Sequence, residues 1–336
     1  MRFALSCKPL ALLGPLAAVL LSGCVTINVG GSPESEIGET LIQGQQGPKV
    51  LLLDIDGEIT SANSSSLLGW VSSEGTVSRL RDQLALAEQK GDIAAILLRI
   101  DSPGGSPTAS DAIYRQIVDF KRKTGVPVLA QFLGMGTSGA YFIAMAADEV
   151  VATRTTVTGS IGVVLLGFNL SELMEKIGVD NQTFTSGAFK DAGSMFRPMS
   201  QAEREQLQSV VDDLYDQFVL VVAEGRPKLS IERVRELADG RIYSATQALE
   251  VGLVDRIDTL DGSIETLRSR LGAESVRVVS YHPERSSLRN IYSRAAAPGS
   301  FKTPTEPLAK AWPRPGFYYL WWPGADFAGT LLGWRD

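Results

Sequence analysis

The chain has very little histidine and cysteine: one His, His282, and two Cys, Cys7 and Cys24, among 336 residues. A single histidine leaves a Ser-His-Asp triad only one candidate base. No His/Cys cluster is available to hold a metal, so none is expected. Two cysteines exclude a disulfide framework, and a folded mature chain must rely on a hydrophobic core. An excess of positive charge is also missing. The formal net charge of −6 gives no basic surface of the kind that phosphate backbones select, so nucleic acid is not an expected partner. Nor is there a long apolar run at the start of the chain, where the stretch from Pro9 to Leu21 falls well short of the ~20 residues that cross a bilayer. What is present is a 44% hydrophobic composition, ample for one folded domain or two lobes.

Arg2 and Lys8 precede that apolar run, and the small residues Ser22 and Gly23 close it, which is the pattern of a bacterial export signal. The tetrapeptide L-S-G-C resembles the lipobox of bacterial lipoproteins, in which the cysteine, here Cys24, becomes the lipidated first residue of the mature protein. The expected organisation is a signal peptide at 1–23, a flexible lipid-anchored tether at 24–48, a domain at 49–294 and a Pro-rich, aromatic tail at 295–336. The expected location is the cell envelope, held to a membrane by the lipid on Cys24 and facing the periplasm or the exterior. Val25 follows the cysteine, and the choice between inner and outer membrane stays open.

Within the domain, short apolar runs alternate with helical patterns. V-L-L-L-D-I leads to a helix around Val77 to Gln89; I-A-A-I-L-L-R-I leads to another from about Thr108 to Lys121. V-P-V-L-A-Q-F then meets a glycine-rich turn and a small-residue helix from Ser138 to Ala147. Strand, turn and helix recur as in an α/β domain with buried strands. From Gln201 to Glu224, Leu207, Val210, Val211, Leu214, Phe218 and Val221 fall on one helical face, suited to core packing or a subunit contact. In the tail, F-Y-Y-L-W-W-P-G is strongly aromatic. It suits an interfacial anchor, or rings packed on the domain or on a neighbour.

Two segments carry the chemistry. In I-D-S-P-G-G-S, Gly104 and Gly105 follow a buried strand and precede a helix, a turn that can present free backbone N–H groups to an oxyanion. In G-M-G-T-S-G-A-Y, Ser138 opens a helix between Gly136 and Gly139, where the helix N-terminus favours developing negative charge. An N-cap would explain that serine but not its flanking glycines. His282 lies before a proline and outside the strand-turn-helix core, which makes a lysine the better base. Lys190, in T-F-T-S-G-A-F-K-D-A-G, reads by composition alone as a surface residue.

The runs D-S-P-G-G-S-P-T-A-S-D-A-I, G-T-S-G-A-Y-F-I-A-M-A-A-D-E-V-V-A, T-G-S-I-G-V and S-G-A-F-K-D-A-G resemble, in order, the signature segments of SppA-type signal peptide peptidases (the protease IV family). The resemblance implies a ClpP/crotonase-like α/β spiral of repeated ββα units. It also implies that Ser138 is the nucleophile and Lys190 the general base, with Ser160 orienting the lysine and Gly105 and Gly139 as oxyanion donors. No cofactor is implied. The implied substrates are membrane-associated peptides, chiefly remnant signal peptides. With one set of motifs the chain resembles the short form of the family, whose members form homo-oligomeric rings. Three other readings compete: a crotonase-type acyl-CoA enzyme, which the lipobox disfavours; a ClpP-like protease using His282; and an inactive lipoprotein scaffold.

Overall fold

The computed structural model describes residues 37–61, 64–65, 72–73, 75–283, 291 and 316–320. The export signal and Cys24 lie outside the described residues. In chain order come β1 (Ile37–Gln43), β2 (Lys49–Ile59), the short antiparallel pair β3 (Ser64–Ser65) and β4 (Ser72–Ser73), α1 (Thr76–Lys90), β5 (Ile93–Gly105), α2 (Pro107–Thr124), β6 (Val128–Thr137) and α3 (Gly139–Ala144). Next are β7 (Glu149–Ala152), β8 (Val157–Gly159), β9 (Val164–Leu166), α4 (Ser171–Lys176), α5 (Gln201–Gly225) and α6 (Ile231–Leu237). β10 (Ile242–Ser244), α7 (Ala245–Glu250), β11 (Arg256–Ile257), α8 (Leu260–Arg270), β12 (Arg277–Pro283) and β13 (Gly316–Leu320) complete the order.

The main sheet runs β1-β12-β2-β5-β6-β7-β11, parallel from β12 to β11, with β1 antiparallel at one edge. Alternation along the strands explains why their sequences are apolar throughout. In β2, Leu51, Leu53 and Ile55 join one core, while Val50 and Leu52 join the other; in β5, Ile96, Leu98 and Ile100 oppose Ala95 and Leu97. α1, α2, α3 and α5 cover one face through Leu80, Ile113, Ile143 and Phe218, and α8 covers the other through Leu260, Ile264 and Leu267. This is the mixed α/β fold with a large sheet that the sequence implied.

Two segments without a predicted element contain strands. The expected tether at 24–48 contains β1, paired from Ile37↔Pro283 to Gln43↔Val278. A strand on a sheet edge is held by main-chain hydrogen bonds, and its polar side chains hide it from a reading based on apolar content. The expected tail at 295–336 contains β13, which pairs with β5 and β9.

Parallel pairing sets the location of the site. β5 and β6 run side by side and end together at Gly105 and Thr137, the carboxyl edge where α2 and α3 begin. Open α/β sheets bind ligands at this edge.

Candidate active site

Ser138 sits between β6 and α3 with φ 53° and ψ −118°, a left-handed conformation that residues bearing a Cβ rarely adopt. Its N–H donates to the Gly159 carbonyl at 2.8 Å, and its own carbonyl accepts from Phe142 N–H at 2.9 Å. The strained turn is thus tied to β8 on one side and to the helix on the other. Thr158 reinforces the tie by donating through Oγ1 to the Gly136 carbonyl at 2.6 Å. Ser138 is 1% exposed, and its Oγ has no hydrogen-bond partner among the described residues. A buried, unbonded hydroxyl on a strained strand-to-helix turn is poor design for stability, and it has the geometry of a nucleophile elbow.

The glycines of D-S-P-G-G crowd against this turn. Gly104 has φ +101°, and a Cβ built on it would lie 2.8 Å from Gly139 N and 3.1 Å from Ser138 Cβ. A Cβ on Gly105 would strike the Ile59 carbonyl oxygen at 2.2 Å, and one on Gly139 would meet Ser110 Oγ at 2.4 Å and lie 3.3 Å from Gly105 N. Only glycine permits this approach, which brings the main-chain nitrogens of Gly105 and Gly139 to the side of Ser138. Two serines absent from the sequence reading pin the arrangement. Ser102 Oγ accepts from Gly104 N–H at 3.1 Å and donates to the Gly57 carbonyl at 2.6 Å, while Ser110 Oγ donates to the Ser106 carbonyl at 3.0 Å. α2 starts cleanly beyond the turn, with Ser106 as N-cap and Pro107 in the first helical position.

Ser160 lies next to this constellation. It has φ 49°, is 8% exposed, and donates its N–H to the Arg241 carbonyl at 2.8 Å. Its neighbour Gly159 is the residue that receives Ser138 N–H, so the T-G-S-I-G turn touches the elbow directly. Lys190 is different. It lies in an exposed turn between α4 and α5, with its N–H on the Gly187 carbonyl at 3.1 Å. Its ammonium has no hydrogen-bond or ion-pair partner among the described residues, and the fold of one chain gives it no bond to Ser138. His282 is buried on β12, which β2 and β5 separate from β6. It shares a 2.7 Å hydrogen bond with Ser280 Oγ rather than with Ser138, and burial pushes its imidazole below the usual histidine range.

No group of three or more His, Cys, Asp or Glu able to hold a metal occurs among the described residues. The arrangement offers a strained serine, closely packed glycine backbone beside it and an exposed lysine on a separate excursion of the chain.

The sequence pattern of Peptidase family S49 matches residues 120–274, and that of Clp protease matches residues 63–161. An Enterococcus faecium protein named as a candidate signal peptide peptidase SppA is 35% identical over 261 residues, spanning 78% of this chain and 74% of that one. A Synechocystis protein named as a candidate protease is 40% identical over 230 residues, spanning 68% of this chain and 77% of that one. Protease 4 of Haemophilus influenzae is 31% identical over 210 residues, 62% of this chain but 32% of that longer protein. Among solved structures, the membrane-bound stomatin-specific protease 1510-N superposes with a TM-score of 0.42 at 15% identity, covering 66% of this chain and 85% of that one.

Proposed function

The chain belongs to peptidase family S49 and is a serine-type peptidase, and on that premise we propose that Ser138 is its nucleophile and Lys190 its general base. The observation that carries the assignment of the nucleophile is the buried, unbonded Ser138 hydroxyl held at φ 53° beside Gly104, Gly105 and Gly139. Neutral Lys190 Nζ takes the Ser138 Oγ proton as Oγ attacks the carbonyl carbon of a peptide. The backbone N–H groups of Gly105 and Gly139 stabilise the oxyanion, each such donor being worth about 10²–10³ in kcat. Lys190 passes the proton to the departing amine, and water, activated by the same lysine, hydrolyses the acyl-enzyme. Ser160, on the turn that binds Ser138 N–H, orients the lysine.

A lysine accepts a proton at neutral pH only when desolvation disfavours its charged form. The exposed turn that holds Lys190 lacks such a setting within one chain, while Phe189 beside it is 52% exposed and Phe184 is 97% exposed. Both features favour a homo-oligomer in which a neighbouring copy covers the Lys190 excursion and completes the site. The substrates are membrane-associated peptides, foremost signal-peptide remnants, supported by the name of the Enterococcus faecium relative. Anchoring by a lipid on Cys24, with the domain facing the periplasm or exterior, would hold the enzyme where such peptides accumulate.

The test is hydrolysis of a fluorogenic Leu/Ala-rich peptide by the full chain in detergent, comparing wild type with Ser138→Ala, Lys190→Ala and His282→Ala. Loss of turnover in the first two, with activity kept in His282→Ala, is expected. Full turnover by Lys190→Ala would rule out the dyad.

A further inference from the structure

β6, the strand that ends just before the nucleophile, changes neighbours along its length. Residues 129–132 pair with β7, whereas residues 135–137 pair with β8. On its other side the pairing with β5 holds from Ile96↔Val128 to Ile100↔Phe132 and resumes at Ser102↔Gly136, so Asp101 alone stands opposite Leu133, Gly134 and Met135. Extra residues on one strand of a pair make a bulge, a feature uncommon between parallel strands and frequent beside active sites, where it re-aims the chain. Here the re-aimed piece is the one that leads into Ser138.

Side chains hold the bulge from both sides. On the β5 side, Asp101 Oδ1 accepts the Met135 N–H at 3.0 Å. The same oxygen would lie 3.1 Å from a Cβ built on Gly134, so the carboxylate rests against a residue that has no side chain. On the far side, the Leu133 carbonyl lies 2.6 Å from Thr153 Oγ1 and 2.5 Å from Thr156 Oγ1, and the Phe132 carbonyl accepts the Thr153 N–H at 3.0 Å. The threonines fix the point where β6 leaves β7. Asp101 fixes Met135, the first residue that β8 receives. Met135 lies three residues before Ser138, and the chain between them is paired to β8 as far as Gly159, whose carbonyl takes the Ser138 N–H. Because the next residue, Ser102, holds Gly104, consecutive side chains of D-S-P-G-G fasten the elbow and the glycine turn.

We propose that Asp101 is a positioning residue for the peptidase reaction: its carboxylate fixes the β6 bulge, and through it the direction from which Ser138 Oγ meets the substrate carbonyl. The proposal rests on the assignment of Ser138 as nucleophile. Asp101 acts through Met135, not on the reacting atoms. The geometry asks for a short side chain ending in an acceptor oxygen, which asparagine supplies and alanine does not. Loss of the bond lets residues 135–137 shift and misplaces Oγ, which slows the chemical step without changing how the peptide is held.

Turnover of the fluorogenic Leu/Ala-rich peptide is measured for the full chain in detergent as wild type, Asp101→Ala, Asp101→Asn, Gly134→Ala, the Asp101→Ala/Gly134→Ala double variant, and Ser138→Ala. Asp101→Ala is expected to lower kcat about 10–100-fold with KM within about twofold, and Asp101→Asn to stay within about threefold of wild type. Gly134→Ala keeps every hydrogen-bonding group and only crowds the carboxylate, so it guards against misfolding of Asp101→Ala. It should lower kcat about threefold or more by itself, yet cost nothing further in the Asp101→Ala background. Wild-type kcat in Asp101→Ala, an Asp101→Asn variant as slow as Asp101→Ala, or losses that multiply in the double variant would each overturn the proposal. Any of these alongside an inactive Ser138→Ala leaves the nucleophile assignment standing, whereas full turnover by Ser138→Ala would overturn that assignment and this role with it.

Discussion

Ser138 holds two unfavourable features at once, a positive φ on a residue with a Cβ and a buried hydroxyl without a partner. Glycine tolerates that φ and has no hydroxyl to desolvate, so Ser138→Gly removes both. The substitution is expected to stabilise the fold by about 1–3 kcal/mol, the range for one strained residue or one unsatisfied group, while abolishing peptide hydrolysis. Urea unfolding of the two proteins reads the first effect, and a lower midpoint for the glycine variant would remove the argument that the elbow is strained for function. The glycine pair after a buried strand and the serine between glycines are legible in the sequence as a candidate oxyanion turn and nucleophile, and the resemblance to SppA-type peptidases is what separates them from an ordinary strand-to-helix turn and a helix cap. Ser102 and Ser110 were not visible. What a serine hydroxyl bonds to depends on which backbone approaches it in three dimensions, and neither Gly57 nor the start of α2 is recognisable as a partner from spacing alone.

At the scale of elements, the excursion between β9 and α5 is anchored next to Lys190 by one guanidinium. Arg197 holds both oxygens of Asp191, at 2.9 and 2.7 Å, and reaches Glu203 through Nη1 at 2.9 Å and through Nη2. Glu203 also closes the capping box of α5 by accepting from Ser200 N–H at 2.8 Å. The turn that carries the proposed base is thereby fastened to the first turn of a long helix. Arg197 first, and then the bonds from Ser200, hold the Glu203 carboxyl down at about 2. A carboxyl lowered on folding stabilises the fold above its unfolded pKa of about 4.3, and that contribution is lost as pH falls from there toward 2. Arg197→Lys keeps a positive charge but not the fork that serves two carboxylates. Its acid-unfolding midpoint should move to higher pH, and its kcat should fall about 10–100-fold through misplacement of Lys190, with KM little changed. An unchanged acid limb together with unchanged kcat would show that the clamp does not position the base. The long helix beside this clamp is legible from apolar spacing alone, since α5 spans Gln201–Gly225 against an expectation of 201 to 224. β1 and β13 were not, because each is held by main-chain pairing to a strand distant in sequence, which leaves no local period to read.

Across the whole molecule, the nucleophile and the proposed base differ in surroundings: Ser138 is sealed in the core, and Lys190 stands in water on an excursion rich in uncovered apolar side chains. Leu173, Ile177, Val179, Phe184, Phe189 and Phe196 are each between 46% and 97% exposed. Apolar surface of this extent on one segment is of the kind that a partner chain, a membrane or a bound ligand covers, and the homo-oligomer proposed above is one such cover. Among the described residues no helix is long and apolar enough to cross a membrane. If a second copy covers them, the Lys190 of one copy can serve the Ser138 of the next, and two inactive variants should restore each other. Ser138→Ala supplies an intact lysine and Lys190→Ala an intact serine. In an equal mixture assembled at random, half of the sites hold an intact serine and half of those meet an intact lysine, so about one quarter of wild-type turnover should return. The mixture is made by co-expression, so that copies exchange before they assemble, and turnover is followed with the fluorogenic peptide. Activity near that level would place the two residues of each site on different chains. If the mixture stays as inactive as its parents while each variant assembles like wild type, serine and lysine act within one chain. The excursion would then have to fold inward over the elbow, burying Phe184 and Phe189 against its own domain.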